Sequence, residues 1–214
     1  MKRIVVVVAF AALSACGGAS QSVETVTPRE NFATAQIANS ELANTVENFA
    51  YTTGRNMPTT GGATFNGTAS INVSSGRGDR SFALLGDAEL TANFAGGSIT
   101  GNLDNFVASE KNRNGVTTYY DATGGIDIGG RRSEFGGDGE PQFFTADYRG
   151  TVVVGNTNLA FNGDLGGALV GNRVGQPASE TAVRGLRASS YGDTVPVGNG
   201  ERRVEMDIYT LVNN

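Results

Sequence analysis

The strongest constraint on the fold is an alternation of apolar and polar side chains with a period of two. Within 63–73, apolar residues or glycine occupy the odd positions, and Thr, Ser or Asn the even ones. Successive side chains of a strand point to opposite faces of a sheet, so this pattern predicts half-buried β-strands. The pattern recurs along most of the chain, most weakly at 183–188. The predicted strands are 63–73, 87–94, 98–104, 126–128, 144–154, 158–165, 183–188 and 204–208.

These strands predict an all-β domain over 59–214, built as a single antiparallel eight-stranded up-and-down β-barrel. Gly96-Gly97 and Gly155-Asn156 are hairpin signals between neighbouring runs. Closure removes exposed strand edges, and mid-strand glycines on the apolar parity permit the necessary coiling. A two-sheet sandwich is the alternative. A membrane-spanning barrel is disfavoured, because the apolar parity is rich in Ala and Gly and shows no aromatic girdles. The mid-strand glycines are Gly67, Gly101, Gly150 and Gly163.

The first fifteen residues predict a lipoprotein signal peptide. Lys2 and Arg3 precede an apolar run over 4–13, which as a helix is about half as long as a bilayer core is thick. The run ends at Leu13-Ser14-Ala15-Cys16, which resembles the bacterial lipobox, and Cys16 is the only cysteine. The resemblance implies lipidation of Cys16 and, with several acyl chains, stable membrane anchoring. Gly17 after the cysteine favours the outer membrane.

Residues 16–58 are predicted to form the lipid anchor and a linker. Small and polar residues over 17–26 are typical of a flexible spacer. Thr27-Pro28-Arg29-Glu30 then has the form of a helix start with a capping box. We therefore expect a helix or a partly ordered arm over 28–49. This arm is either a strap against the barrel or a spacer that holds the barrel away from the membrane, and the sequence favours the spacer.

Composition excludes several classes of chemistry. The chain has no histidine, which removes Ser-His-Asp triads, Cys-His pairs and His-ligated zinc or haem. A net charge of −5 argues against nucleic-acid binding. Five acidic residues cluster near the middle of the chain, but their spacing fits no calcium loop, and turns are the favoured interpretation. We therefore expect a non-enzymatic protein with no metal and no cofactor. The acidic residues are Asp121, Asp127, Glu134, Asp138 and Glu140.

Paired aromatic residues flank the longest irregular stretch and are the candidate ligand contacts. Exposed aromatics and arginines on loops are typical recognition anchors. Alternatively, one aromatic of each pair packs into the core and the other covers a barrel end. A tyrosine can also ligate haem, which keeps haem capture open. The candidate loop residues are Tyr119, Tyr120, Arg131, Arg132 and Phe143.

Two glycine-containing segments resemble the β-barrel domain of transferrin-binding protein B-like surface lipoproteins. One runs over 90–103, a strand that ends in Phe and continues through Gly-Gly into a strand with a central Gly. The other, 161–167, is a Phe-x-Gly stretch followed by Gly-Gly. The resemblance implies a lipid-anchored barrel on the outer-membrane surface whose loops capture a protein or small ligand. The alternative function is a structural or envelope-maintenance lipoprotein that faces the periplasm.

Overall fold

The computed structural model describes residues 26–74, 80–129, 142–173, 183–197 and 200–212. Within these residues the chain forms one α-helix, a single 3₁₀ turn and ten strands. The elements are α1 (Pro28–Glu47), β1 (Phe49–Tyr51), the 3₁₀ turn (Gly54–Asn56), β2 (Gly62–Ser74), β3 (Ser81–Asn93), β4 (Ser98–Lys111), β5 (Thr117–Asp121), β6 (Thr123–Gly129), β7 (Phe143–Val154), β8 (Thr157–Arg173), β9 (Gly185–Val197) and β10 (Gly200–Val212).

Strands β2 to β10 close into an eight-stranded antiparallel barrel. Each strand from β2 onward pairs with the next along the chain except β5, which pairs with β4 alone, and β10 returns to pair with β2. Strands β5 and β6 share one place in the barrel, because both pair with β4 and only Ala122 separates them. The predicted up-and-down barrel is confirmed, and the alternative of a sandwich is wrong.

The barrel interior is an apolar core. The apolar parity of each strand points inward, so that Phe65, Leu90, Ile99 and Leu103 are almost completely buried. The polar parity forms the outer wall, and Glu89 is one of its exposed residues. This arrangement is the reverse of a membrane-spanning barrel, whose outer wall carries an apolar band. In the described part of the chain, no helix has the length and hydropathy needed to cross a bilayer.

Mid-strand glycines allow neighbouring strands to approach closely. A Cβ at Gly67 would collide with the backbone carbonyl oxygen of Tyr209 on β10, and one at Gly150 with the carbonyl oxygen of Gly125 on β6. Every other residue type carries that Cβ, so glycine is required where these backbones meet. These contacts explain why glycine interrupts the apolar parity of strands that otherwise bury large side chains.

Helix α1 begins with the predicted capping box. The Thr27 hydroxyl accepts from the Glu30 backbone N–H, and the Thr27 backbone N–H donates to the Glu30 carboxylate at 2.8 Å. This second hydrogen bond lowers the pKa of Glu30. The helix ends at Glu47, two residues before the predicted boundary, because Phe49 opens β1, which pairs with β8.

The helix lies against the outer wall of the barrel, so the favoured expectation of a spacer is wrong for this segment. It crosses from β5 over β4, β3 and β2 to β10. Three side-chain hydrogen bonds lie along this path, and Val46 of the helix itself is completely buried. The bonds join Asn31 to Asp121 at 3.1 Å, Asn39 to Thr68 at 2.8 Å and Glu47 to Tyr209 at 3.0 Å.

Candidate functional site

The structure places the predicted tyrosines in a strand, where a loop was expected. Tyr119 and Tyr120 belong to β5. The Tyr119 ring packs against Phe32 of α1, with ring centroids 5.4 Å apart. Tyr120 packs against the core, and its hydroxyl lies 3.5 Å from the Glu110 carboxylate. The expectation that these residues stand on a loop is wrong, because 117–129 form β5 and β6, although β5 lacks the alternation that identified the other strands.

Phe143 lies at the opposite end of the barrel from both tyrosines. It opens β7 at the end where β4 begins, whereas Tyr119 pairs with Ser109 near the end of β4. Half of the Phe143 side chain is exposed, at 54%. The structure therefore separates the described members of the predicted set. Arg131, Arg132 and Cys16 lie outside the described residues, as does the predicted signal peptide.

The predicted acidic cluster is likewise not assembled among the residues that the structure describes. Asp121 accepts a hydrogen bond from Asn31, and Asp127 is exposed on the outer wall. Glu134, Asp138 and Glu140 fall outside the described residues. Across the described ranges, no group of three or more potential metal ligands comes together.

Phe143 instead borders a groove on the outer wall of β7 to β10, which we call the wall groove. Small residues form its floor: Gly166 and Ala168 of β8 lie beside Ser189 and Arg187 of β9, respectively. A Cβ built on Gly166 meets nothing within 4 Å and would point into open space. The groove has a volume of about 510 Å³, within the range of small-molecule sites.

One side of the wall groove is aromatic and carries a positive charge. Tyr51 of β1 packs against Phe143, with ring centroids 5.5 Å apart, and 42% of Tyr51 is exposed. The Arg187 guanidinium carbon lies 4.3 Å from the centroid of the Tyr51 ring. At this distance the cation is attracted to the ring face. The contact holds the Arg187 side chain over the aromatic side of the groove.

The other side of the wall groove is acidic and hydroxyl-bearing. Tyr209 and Asp207 project outward from β10, and Glu47 stands at the end of α1. The Tyr209 hydroxyl donates to a Glu47 carboxylate oxygen at 3.0 Å. This hydrogen bond fixes the helix end at the rim of the groove. The site therefore combines residues from the N-terminal arm and from four barrel strands.

A second polar cluster lies inside the barrel. The buried Tyr148 hydroxyl donates to the Asp193 carboxylate at 2.7 Å, and Ser190 donates to the same carboxylate. Burial raises the pKa of Tyr148, and the Asp193 carboxylate adds to this rise. Gly163 leaves the space beside the cluster, since a Cβ there would collide with Asp193. The cluster satisfies its own polar groups within the core.

Asp193 points inward because β9 contains a bulge. Arg203 pairs with Thr194, whereas Glu205 pairs with Tyr191, so β9 carries one extra residue opposite Val204. Gly192 has a φ of 94°, a left-handed conformation that glycine adopts without strain. The extra residue changes which parity faces the core. The bulge lies beyond the predicted strand 183–188, in the part of β9 that the sequence did not predict.

Sequence reasoning found one residue of the wall groove, Phe143, and missed the others. Tyr51 and Glu47 lie in the predicted linker, and Arg187 and Tyr209 lie at polar positions of strands. The polar, outward-facing residues of a strand look alike in the sequence whether they line a groove or an ordinary surface. The run of small residues over 166–168 is the sequence feature that could have indicated the groove, because it leaves a flat floor on one face.

Comparisons with known proteins do not assign this chain to a family. No protein-family model, curated protein or solved structure matches it. The resemblance to transferrin-binding protein B-like lipoproteins therefore stays a prediction.

Proposed function

We propose that this protein is a non-enzymatic binding lipoprotein, held at the outer membrane through Cys16 and facing the cell surface. The observation that carries the binding role is the wall groove, where exposed aromatic rings, an arginine and carboxylates surround a small-residue floor. Ligand sites commonly combine an apolar surface with a few fixed polar groups in this way. The proposed ligand site therefore lies on the outer wall of the barrel and not on the loops where the sequence predicted it.

The architecture supports a role in display and capture. A closed barrel with an apolar core is a rigid scaffold, and the groove lies on its outer wall. Rigid scaffolds lower the entropic cost of binding by fixing side chains before the ligand arrives. The lipobox-like string at Cys16 supplies the anchor in this proposal. We retain the resemblance to transferrin-binding protein B-like lipoproteins as a proposal for the kind of protein, without a named ligand.

The anchor is tested by labelling cells with an alkyne analogue of palmitate. We expect label on the wild-type protein and on Ser20→Ala, and none on Cys16→Ala. The Cys16→Ala protein should also leave the membrane fraction, because it lacks the acyl chains. Cys16→Ala protein that is still labelled, or still in the membrane pellet, would contradict the proposed anchor.

The orientation is tested by protease treatment of intact and lysed cells. A chain that faces outward is digested on intact cells. Protection until lysis would contradict the surface location and favour the envelope-maintenance role that faces the periplasm. A known periplasmic protein serves as the control for cell integrity.

A further inference from the structure

The two sides of the wall groove carry opposite charges. Arg187 lies on the aromatic side, stacked on Tyr51, and Glu47 and Asp207 lie on the acidic side. Within the described residues, no carboxylate forms an ion pair with the Arg187 guanidinium. A guanidinium stacked on a ring keeps its in-plane N–H donors at its edges. Those donors are suited to a carboxylate in a bidentate arrangement.

The helix end adds negative potential to the acidic side. The last turn of α1 carries Glu47 and no basic residue. The C-terminal end of a helix bears a partial negative charge, so a glutamate there lowers helix stability, whereas a cation nearby is favoured. Glu47 is held at this position by its hydrogen bond to Tyr209. Its carboxylate and the helix end together make this side of the groove attractive to a positively charged ligand group.

The width of the groove suits a short extended molecule. The groove spans β7 to β10, which at ordinary strand separation is about 14 Å along the barrel wall. Within this width, Arg187 on β9 is the direct cross-strand neighbour of Tyr209 on β10, which holds Glu47. An extended tripeptide is about 10 Å long. Phe143 and the floor at Gly166 offer a contact surface on the β7 and β8 side of Arg187. A volume of about 510 Å³ leaves room for more than a single amino acid.

Building on the proposed binding function, we propose that the wall groove binds short peptides of about two to four residues with both ends free. Arg187 binds the peptide carboxylate, and Glu47 receives the peptide ammonium. Asp207 lies on the same side of the groove. The aromatic side and the glycine floor contact the peptide side chains.

Calorimetric titration of the detergent-solubilised full chain tests the proposal. The probes are Ala-Leu-Ala and three versions of it, blocked at the amino end, at the carboxyl end or at both. We expect saturable binding of the free peptide, and binding weakened about tenfold for each charge that is blocked. Equal binding of the free and the doubly blocked peptide would overturn the proposal, as would no binding of any probe.

Paired variants assign each charge to its partner. Arg187→Gln should weaken the free peptide about tenfold but leave the carboxyl-blocked peptide unchanged, since that interaction is already absent. Glu47→Gln should weaken the free peptide about tenfold but leave the amino-blocked peptide unchanged, since that peptide has no ammonium group to bind. Arg149→Gln and Glu41→Gln change exposed charges outside the groove and should bind as wild type. Equal weakening of free and blocked peptides by Arg187→Gln would overturn its assigned role.

A steric pair tests the location independently of charge. Gly166→Leu fills open space in the groove and should abolish binding without unfolding the barrel. Gly129→Leu is the matched control, because its Cβ lies at an ordinary contact distance of 3.7 Å from Asp147 outside the groove. Binding that survives Gly166→Leu would overturn the site.

Titration with a neutral trisaccharide of N-acetylglucosamine distinguishes failure of the peptide assignment from failure of the proposed binding function. Saturable binding of that sugar, lost in Gly166→Leu, together with no peptide binding would overturn the peptide assignment and leave the binding function standing. Loss of lipidation or of surface exposure would contradict the proposed function whatever the peptide titrations show.

Discussion

At the scale of single residues, two glycines three positions apart on β8 should respond oppositely to the same change. A Cβ at Gly163 would collide with the Asp193 carboxylate and lies 2.6 Å from the Tyr148 hydroxyl, whereas one at Gly166 meets nothing within 4 Å. We expect Gly163→Ala to lower the free energy of unfolding by about 1–3 kcal/mol. Gly166→Ala should leave it unchanged or slightly raised. Urea unfolding measures both, and equal effects would contradict the packing described here.

The buried Tyr148 should make stability depend on pH in the alkaline range. Its pKa is raised in the folded protein by burial and by Asp193. The tyrosine therefore loses its proton more readily in the unfolded chain than in the folded one. The stabilisation is complete below the ordinary tyrosine pKa of about 10 and is lost as pH rises above it. We expect the free energy of unfolding of the wild type to fall more steeply above about pH 10 than that of Tyr148→Phe. Parallel pH profiles would contradict this prediction.

The sequence predicted which residues form the core but not which polar residues face it. Strict alternation identified Phe65 and Leu90 as inward-facing, because one face of each strand is buried. It could not place Asp193 in the interior, because a bulge at Gly192 shifts the parity by one residue. A glycine in a strand signals such a shift, yet with 31 glycines in the chain that signal is not specific.

At the scale of elements, the docking of α1 combines three side-chain hydrogen bonds with one completely buried apolar residue. Val46 is completely buried, whereas Ile37 on the same helix is 61% exposed. We expect Val46→Asp to release the helix from the barrel, because a buried unpaired charge is strongly destabilising. Cleavage by a glutamate-specific protease at Glu41 and Glu47 should then accelerate about tenfold.

The matched control for this release is Ile37→Asp, which places the same charge on the solvent side of the helix. Its cleavage rate should equal that of the wild type. Circular dichroism should retain the strand signal in both variants, since the barrel closes without the helix. Equal cleavage of the two variants would show that Val46 does not hold the helix.

The start of the helix was predictable, and its docking was not. The capping box is a local pattern that Thr27 and Glu30 complete within one turn. Docking depends on Asn31 and Asn39, whose hydrogen bonds to the barrel involve strands distant in sequence. Polar side chains on a helix usually face solvent, so the hydrophobic pattern alone favoured a spacer.

At the scale of the whole molecule, two strand pairings of the barrel are short. Strand β8 pairs with β9 only over 166–170 and β4 with β6 only over 101–103, whereas β2 pairs with β3 over 62–73. The pairing of β4 is supplemented by β5 over 107–111, so local opening should favour the weak seam between β8 and β9. We expect native-state hydrogen exchange at 185–189 to be faster than at 63–73. Uniform protection around the barrel would contradict a weak seam.

The closed barrel was predicted from the sequence because every local signal agreed with it. Alternation, short turns and glycine placement each favour closure, and the sequence predicts no helix among the strands. The wall groove could not be predicted, because its walls meet only after closure. Glu47 and Tyr209 are distant in the sequence and become neighbours when the helix crosses to β10.

The path of α1 also determines how the molecule would respond to mechanical load. A pull applied before Thr27 reaches the helix at its start, so the contact at Asn31 yields first, the one at Asn39 next and the one at Glu47 last. Such peeling breaks one contact at a time and requires less force than shearing all of them together. Unravelled, the 20-residue helix would lengthen from about 30 Å to about 70 Å. Tension would therefore unwind and extend the start of α1 well before it disturbed the wall groove.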